Sequence, residues 1–172
     1  MKFIKLTKSL FVVTATALSL FTHSPVQAES ITDYVKEFPW IGLISDEITY
    51  GPITISHVNI NHSDKLVFAK PGETLNGHLR YSVNSAKDKL HLHHLIIGIE
   101  GEGAQDCVMH TLGIADTKGK GKFTLTAPTK PGVYEVRFLY NEALTCSRAR
   151  ETWNTGLKDP TAAATIGVII VK

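Results

Sequence analysis

Three of the four residues at positions 91–94 are histidines, in the order His-Leu-His-His. On a β-strand, His91 and His93 would project from the same face about 6 to 7 Å apart, because a strand rises about 3.3 Å per residue. Two imidazoles at that separation can ligate a single Zn²⁺ or Cu²⁺ ion. His78 on a neighbouring strand and His110 on a following loop could supply further ligands. A zinc or copper site is therefore one hypothesis for this chain.

The competing interpretation is that these histidines stand half-exposed at a strand entrance and hydrogen-bond to backbone or water. The spacing specifies only two of the three or four ligands that a zinc site needs. A blue-copper site needs Cys, His and Met in a characteristic late loop, and here Met109 precedes His110, which is the wrong order. Metal binding is therefore the alternative hypothesis and not the main one.

The chain contains only two cysteines, Cys107 and Cys146, which stand 39 residues apart. An oxidising compartment favours joining them, and closing that loop would stabilise the fold by about 4 kcal/mol in the chain-entropy model. The alternative is a reactive thiol, since Cys107 stands three residues before His110. Catalytic pairs are usually distant in sequence, so we predict a disulfide bridge.

Two tryptophans, Trp40 and Trp153, lie outside the predicted strands. An exposed tryptophan can stack on a sugar ring or anchor a protein partner. The alternative is that each ring caps one end of the core, because large aromatic side chains are mostly buried. We retain both residues as candidate binding residues for a protein, peptide or glycan ligand.

The sequence carries no recognised catalytic motif. It lacks the Gly-x-Ser-x-Gly elbow, the His-Glu-x-x-His zinc motif and a phosphate-binding loop. Glu100, Glu102 and Asp106 cluster near glycines, an arrangement typical of solvated acidic residues. A hydrolase with dispersed carboxylates is the remaining enzyme hypothesis, since such pairs are far apart in sequence. We predict a non-enzymatic protein without a cofactor, with zinc or copper only under the alternative hypothesis.

The first 28 residues have the pattern of a secretory signal peptide. Three lysines precede an uncharged, mostly apolar stretch at 9–21, and residues 26–28 (Val-Gln-Ala) supply the small residues that signal peptidase needs. The apolar stretch is shorter than the roughly 18 residues of a spanning helix. We therefore expect cleavage after Ala28, export to the periplasm or the cell exterior, and no membrane span in the mature chain.

The mature chain has a nearly balanced charge. The 172 residues contain 18 Lys and Arg against 16 Asp and Glu, and three of the lysines lie in the leader, which leaves 15 basic residues and a net charge of −1. A strongly basic surface for nucleic acid is therefore not expected. Lys118, Lys120 and Lys122 form a local basic patch, which we assign to the solvated tip of a glycine-containing turn.

Residues 29–172 have the period-two hydrophobic pattern of a single all-β domain. The pattern predicts strands at 52–61, 65–69, 74–83, 90–100, 122–126, 133–140 and 163–171. It also predicts a bulge near Ser56 and His57, a loop over 101–117, a turn at 118–121, and short helices at 31–38 and around 147–153. Seven or eight strands at roughly ten-residue spacing are typical of an antiparallel β-sandwich.

Residues 123–128 (Phe-Thr-Leu-Thr-Ala-Pro) and 131–138 (Pro-Gly-Val-Tyr-Glu-Val-Arg-Phe) resemble the paired late strands of bacterial immunoglobulin-like domains. The chain is also similar to small secreted bacterial domains of unknown role in which a cysteine precedes and another follows this unit. The resemblance implies an immunoglobulin-like fold, and because it carries no catalytic motif it says nothing about an activity. Antibody domains join strands of the two sheets by their disulfide, whereas Cys107 and Cys146 are expected in loops, where the bridge would staple one end of the sandwich.

Together these observations predict an exported, non-enzymatic, immunoglobulin-like β-sandwich that binds a protein, peptide or glycan through its loop end. The alternative is a periplasmic metal-binding protein that uses His91 and His93. The two hypotheses differ in where the histidine and tryptophan side chains must lie.

Overall fold

A computed structural model of the chain describes residues 30–83, 92–112, 118–153 and 160–172. The described helices are α1 (Ile31–Glu37), α2 (Cys146–Glu151) and the 3₁₀ helices η1 (Pro39–Leu43) and η2 (Ala162–Ala164). The described strands are β1 (Glu47–Tyr50), β2 (Ile53–Ile60), β3 (Leu66–Ala69), β4 (Thr74–Val83), β5 (Leu92–Ile99), β6 (Gly103–Leu112), β7 (Lys118–Thr126), β8 (Gly132–Glu142) and β9 (Thr165–Val171).

The strands form two sheets that pack face to face. The four-stranded sheet has the order β1-β2-β4-β7, and the five-stranded sheet has the order β3-β9-β8-β5-β6. All neighbouring strands are antiparallel except β3 and β9, which are parallel. The predicted all-β sandwich is confirmed, with one parallel pair that the sequence did not reveal. The immunoglobulin-like classification stays a prediction.

The core lies between the two sheets. In β4 the alternation of buried and exposed residues places Leu75, Leu79 and Val83 inside, each at most 3% exposed. In β5, Leu95 and Ile97 face them from the other sheet and are fully buried. The period-two pattern of β4 therefore has a simple cause, because one of its faces meets the core and the other meets solvent.

The outer faces of the two sheets differ. On the five-stranded sheet, η1 buries Ile41 against Val168 and Ile170, and α2 packs Ala149 near Ile96. This double cover explains why every residue of β9 and nearly every residue of β5 is buried, as the apolar runs predicted. Within the described residues, no helix packs on the outer face of the four-stranded sheet.

Two segments predicted as connections are strands. Residues Gly103–Leu112, expected in a loop, form β6, and its pairing with β5 contains two register shifts. These irregularities break the alternation that would have revealed a strand. Gly98 allows the close approach, since a Cβ there would lie 2.3 Å from the carbonyl oxygen of Gly103.

The predicted turn at 118–121 is also wrong, because these residues begin β7. Gly119 and Gly121 face the interior, where an added Cβ would lie 2.4 Å from the hydroxyl of Tyr81 and 1.8 Å from Cγ1 of Val108, respectively. Glycines that usually mark a turn here make room for large neighbours within a strand.

Other local predictions agree with the structure. The register of β2 against β4 shifts between Ser56 and Asn59, and His57 adopts a φ of 52°, which fits the predicted bulge. One expectation differs, because strands β7 and β8, whose sequences resemble paired strands of immunoglobulin-like domains, lie in opposite sheets and do not pair with each other. No helix in the described parts of the chain is long and apolar enough to cross a membrane.

Candidate functional site

A cleft of about 460 Å³ lies where the two 3₁₀ helices meet the sandwich. It is formed by η1 and the residues after it, by β1, by η2 and by the adjoining parts of β8 and β9. The lining residues are Trp40, Leu43, Ile44, Ser45, Glu47, Ile48, Glu135, Ala162, Ala163 and Thr165. Most of these side chains are apolar, and the two charged ones are acidic.

The geometry of η1 places two large apolar side chains at the cleft. Pro39 begins η1, where its fixed φ and missing N–H cost nothing. Residues three apart lie on the same side of a 3₁₀ helix, so Trp40 and Leu43 share one side while Ile41 turns inward to the outer face of the five-stranded sheet. Trp40 is 36% exposed and Leu43 is 81% exposed. The predicted binding residue Trp40 therefore lines a cleft and presents apolar surface to solvent.

The polar floor of the cleft is fixed by a hydrogen-bond network around Glu135. The Nε of Arg137 donates to Oε2 of Glu135 over 2.8 Å, and the hydroxyl of Thr165 donates to the same oxygen. The guanidinium of Arg137 also donates to the carbonyl of Pro160 over 3.0 Å and lies 3.5 Å from a carboxylate oxygen of Glu100. This network holds the entry to β9 against β8.

The second predicted binding residue, Trp153, is only 6% exposed. Its ring packs just after α2 in a small cluster with Ile96, Leu139 and Ala149. This is the core-capping position that was the alternative for this tryptophan, and it leaves little of the side chain exposed to a ligand. The binding assignment therefore fits Trp40 and not Trp153.

His93 is buried, with 1% exposure, and faces a neighbouring strand. Its Nδ1 hydrogen-bonds to the hydroxyl of Tyr140, and the two rings stack with their centroids 5.4 Å apart. The carboxylate of Glu142 lies 3.9 Å from the same nitrogen. Burial, with a smaller contribution from the Glu142 carboxylate, raises the pKa of Tyr140 to about 12. His93 is thus engaged in a packed polar contact.

The predicted metal ligands do not converge within the described residues. His78 is exposed on the outer face of the four-stranded sheet, whereas His93 belongs to β5 of the other sheet. The Nε2 of His94 donates a hydrogen bond to the carbonyl of Ala143 over 2.9 Å. His91 and the side chain of His110 lie outside the described residues. Across the described ranges, no group of three His, Cys, Asp or Glu side chains is placed to hold a metal ion.

The predicted disulfide is present, with the sulfurs of Cys107 and Cys146 1.98 Å apart. Its position differs from the expected one, because Cys107 lies within β6 and Cys146 is the first residue of α2. The bridge therefore ties α2 to the edge strand of the five-stranded sheet and does not join two end loops.

Sequence reasoning missed most of the cleft. Leu43, Ile48 and Glu135 come from three separate parts of the chain, and only the fold brings them together. The one local signal was the Pro-Trp pair at 39–40, which begins a short helix outside the strands.

Comparison with known proteins adds no relative. No protein-family model, no curated protein and no solved structure matches the chain.

Proposed function

We propose that this protein is an exported, non-enzymatic binding domain that receives an apolar segment of a protein or peptide in the cleft beside Trp40. The observation that carries the proposal is the exposure of Trp40 and Leu43 side by side at an apolar cleft of about 460 Å³. Large apolar side chains exposed next to one another are costly in water and are typical of interaction sites. Tryptophan is also among the commonest anchors of binding energy.

Export belongs to the same proposal. It is supported by the signal-like pattern of residues 1–28 and by the Cys107–Cys146 disulfide, since such bonds persist in oxidising compartments. An immunoglobulin-like classification is supported by the two-sheet architecture and by the sequence pattern at 123–138. The sequence predicts binding through a loop end, and the proposal narrows this to the cleft lined by the connections that precede β1 and β9.

The chemistry of the lining favours a peptide over a metal or a nucleic acid. Both charged side chains of the lining are acidic, and Glu135 is neutralised by Arg137. Glu47 therefore supplies the charge that a ligand meets, and the segment that fits best combines a large apolar side chain with neutral or basic neighbours. The alternative metal function with zinc or copper has no support among the described residues, since His78 and His93 lie on different sheets.

A selection from a phage-displayed library of short random peptides tests the proposal. We expect peptides that share a large apolar residue to be enriched on the disulfide-bonded protein. Trp40→Ala should weaken binding of an enriched peptide at least about 30-fold, as for a central interface tryptophan, and Leu43→Ala should weaken it less. The measurement is the dissociation constant by fluorescence polarisation or calorimetry.

Leu144→Ala is the matched control, because Leu144 is 80% exposed but lies outside the cleft. This variant should bind the selected peptides like the wild type. Peptides that bind equally well to the Trp40→Ala protein, or a selection without enrichment, would contradict the proposal. A glycan bound in a Trp40-dependent manner would replace the peptide by a sugar and overturn the ligand assignment.

A further inference from the structure

The uncovered face of the four-stranded sheet is basic. Its strands β2, β4 and β7 contain no Asp or Glu. The exposed side chains that form this basic face are His57, His78, Arg80, Lys118, Lys120 and Lys122. The whole chain has nearly equal numbers of basic and acidic residues, 18 against 16. The basic face is therefore a local segregation of charge and not a reflection of overall composition.

The strand register sets basic side chains directly opposite one another. Arg80 is paired with Lys120, and His78 is paired with Lys122. The like charges of Arg80 and Lys120 destabilise the sheet, whereas opposite charges would stabilise it. No ion pair joins Arg80, Lys120 or Lys122 to an acidic residue within the described ranges. A sheet selected for stability alone would carry a carboxylate at some of these positions.

Two backbone features produce this arrangement. The alternation of lysine and glycine in β7 turns the glycines inward against Tyr81 and Val108, so the lysines point outward in one row. The bulge in β2 holds His57 at a φ of 52°, a conformation that non-glycine residues rarely adopt, and leaves its side chain exposed. Bulges often redirect a side chain at a functional surface.

The redirected histidine helps to shape a concave site. His57, His78, Arg80, Lys120 and Lys122 line a groove of about 430 Å³, together with Leu79 and Gly121. Successive outward residues on a strand lie about 6 to 7 Å apart, and neighbouring strands are about 4.8 Å apart. The side chains of β4 and β7 therefore form a regular two-row array of positive and hydrogen-bonding groups in the groove, and His57 of β2 lies beside it.

We propose that the basic face binds an acidic polysaccharide, whose carboxylate or sulfate groups contact Arg80, Lys120 and Lys122. Hydroxyl and amide side chains border the array, among them Asn76, Ser82 and Thr124, and these suit the hydroxyls of a sugar. Asp46 and Asp64 line a second cavity together with His57. This site is separate from the Trp40 cleft, so each proposal can fail without the other.

The composition of the face disfavours two other polyanionic partners. Single-stranded nucleic acids are usually held by aromatic side chains on which bases stack, and the outward positions of β2, β4 and β7 carry none apart from the histidines. A membrane-binding surface inserts large apolar groups, and the large exposed apolar residues among those described, Trp40, Leu43 and Leu144, belong to other elements.

A matched set of polymers tests the proposal on the mature, disulfide-bonded protein. Dextran sulfate carries only sulfates, alginate carries only carboxylates, and dextran is their neutral counterpart. We expect binding to at least one of the acidic polymers at low salt, weakening as salt is raised, and no binding to dextran. Which acidic polymer binds more tightly distinguishes the sulfate from the carboxylate. The measurement is calorimetry or retention on the immobilised polymer.

The double variant Lys120→Glu/Lys122→Glu should lose affinity by about tenfold or more, since two exposed contacts are replaced by repulsion. The double variant Lys36→Glu/Arg148→Glu is the control, because it changes the net charge equally on the two exposed helices that cover the other sheet. It should bind like the wild type. Circular dichroism and thermal melting check that both variants are folded.

Four outcomes would overturn the proposal. The first is no binding to either acidic polymer at low salt, and the second is an equal loss of affinity in both double variants. The third is tighter binding of an oligothymidylate than of the acidic polymers, which would assign the face to nucleic acid. The fourth is binding to phosphatidylglycerol vesicles but to neither polymer, which would assign it to a lipid surface.

Discussion

At the scale of single residues, His93 is held by two interactions with one neighbour, a hydrogen bond and a ring stack with Tyr140. His93→Ala should therefore lower the free energy of unfolding by about 2 kcal/mol, since a buried polar contact and ring packing are both lost. Urea denaturation measures this change. His78→Ala, at an exposed position, should change stability by less than about 0.5 kcal/mol.

The same variants test the alternative metal hypothesis. Elemental analysis of untagged protein should give the same zinc and copper content for the wild type and for His93→Ala. A stoichiometric metal ion that is present in the wild type and absent from His93→Ala would contradict the structural role assigned to this histidine.

Tyr140 should make the stability of the fold depend on pH in the alkaline range. Its pKa is raised from the model-compound value of 10.0 to about 12, mainly by burial. Between these values the unfolded chain loses the phenolic proton while the folded protein keeps it, so unfolding becomes more favourable as pH rises. The contribution is fully present below about pH 10 and is lost by about pH 12.

Tyr140→Phe isolates this contribution, because all other ionisable side chains are present in both proteins. The loss of unfolding free energy between about pH 9 and about pH 11 should be smaller in Tyr140→Phe than in the wild type. An identical loss in both proteins would show that Tyr140 ionises as readily in the folded state as in the unfolded state.

At the scale of elements, β7 depends on glycines that face large side chains. A methyl group at Gly121 would lie 1.8 Å from Cγ1 of Val108, and a β-branched side chain has few rotamers with which to move away. Gly121→Ala should therefore cost about 2 kcal/mol of unfolding free energy, as overpacking typically does.

Val108→Ala should relieve this clash. In a double-mutant cycle, Gly121→Ala should lower the unfolding free energy clearly less in the Val108→Ala protein than in the wild type. Denaturant unfolding of the four proteins measures this difference. Additive costs would mean that the two side chains do not compete for the same space.

The elements that sequence reasoning located best are those whose two faces meet different surroundings. Strand β4 has the predicted bounds, 74–83, because solvent on one face and core on the other impose a strict alternation. Strands β6 and β7 were assigned to a loop and a turn, because bulges disturb one and inward glycines interrupt the other. The local hydrophobic pattern could not reveal β6 and β7 as strands, since the bulges and the inward glycines depend on neighbouring strands.

The same reasoning explains which site residues could be found in advance. The disulfide followed from composition and the expected compartment, and Trp40 followed from its residue type. The basic face could not be predicted from the sequence. Lys120 and Lys122 form a shared surface with Arg80 and His78 only because β4 and β7 pair in this register.

At the scale of the whole molecule, the disulfide links α2 to the five-stranded sheet. Replacing both Cys107 and Cys146 by Ser should lower the free energy of unfolding by as much as about 4 kcal/mol, the chain-entropy value for a 39-residue separation. Thermal and urea unfolding of the double variant measure the loss. A change below about 1 kcal/mol would contradict the expected constraint on the unfolded chain.

The disulfide and the basic face belong to different sheets, so a variant of one should leave the other unchanged. The bridge and α2 lie against the five-stranded sheet, whereas the basic face belongs to the four-stranded sheet. Where the Cys-to-Ser protein remains folded, its affinity for an acidic polymer should therefore equal that of the wild type.

The position of the last strand has a consequence for the order of folding. β9 is inserted between β3 and β8, so it joins a strand near residue 66 to one near residue 137. During synthesis the N-terminus emerges first, so β3 lacks its neighbour β9 until strands β4 to β8 have been made. Contacts of such long sequence separation slow folding. The five-stranded sheet therefore reaches its full strand order only after β9 has been synthesised, long after β3.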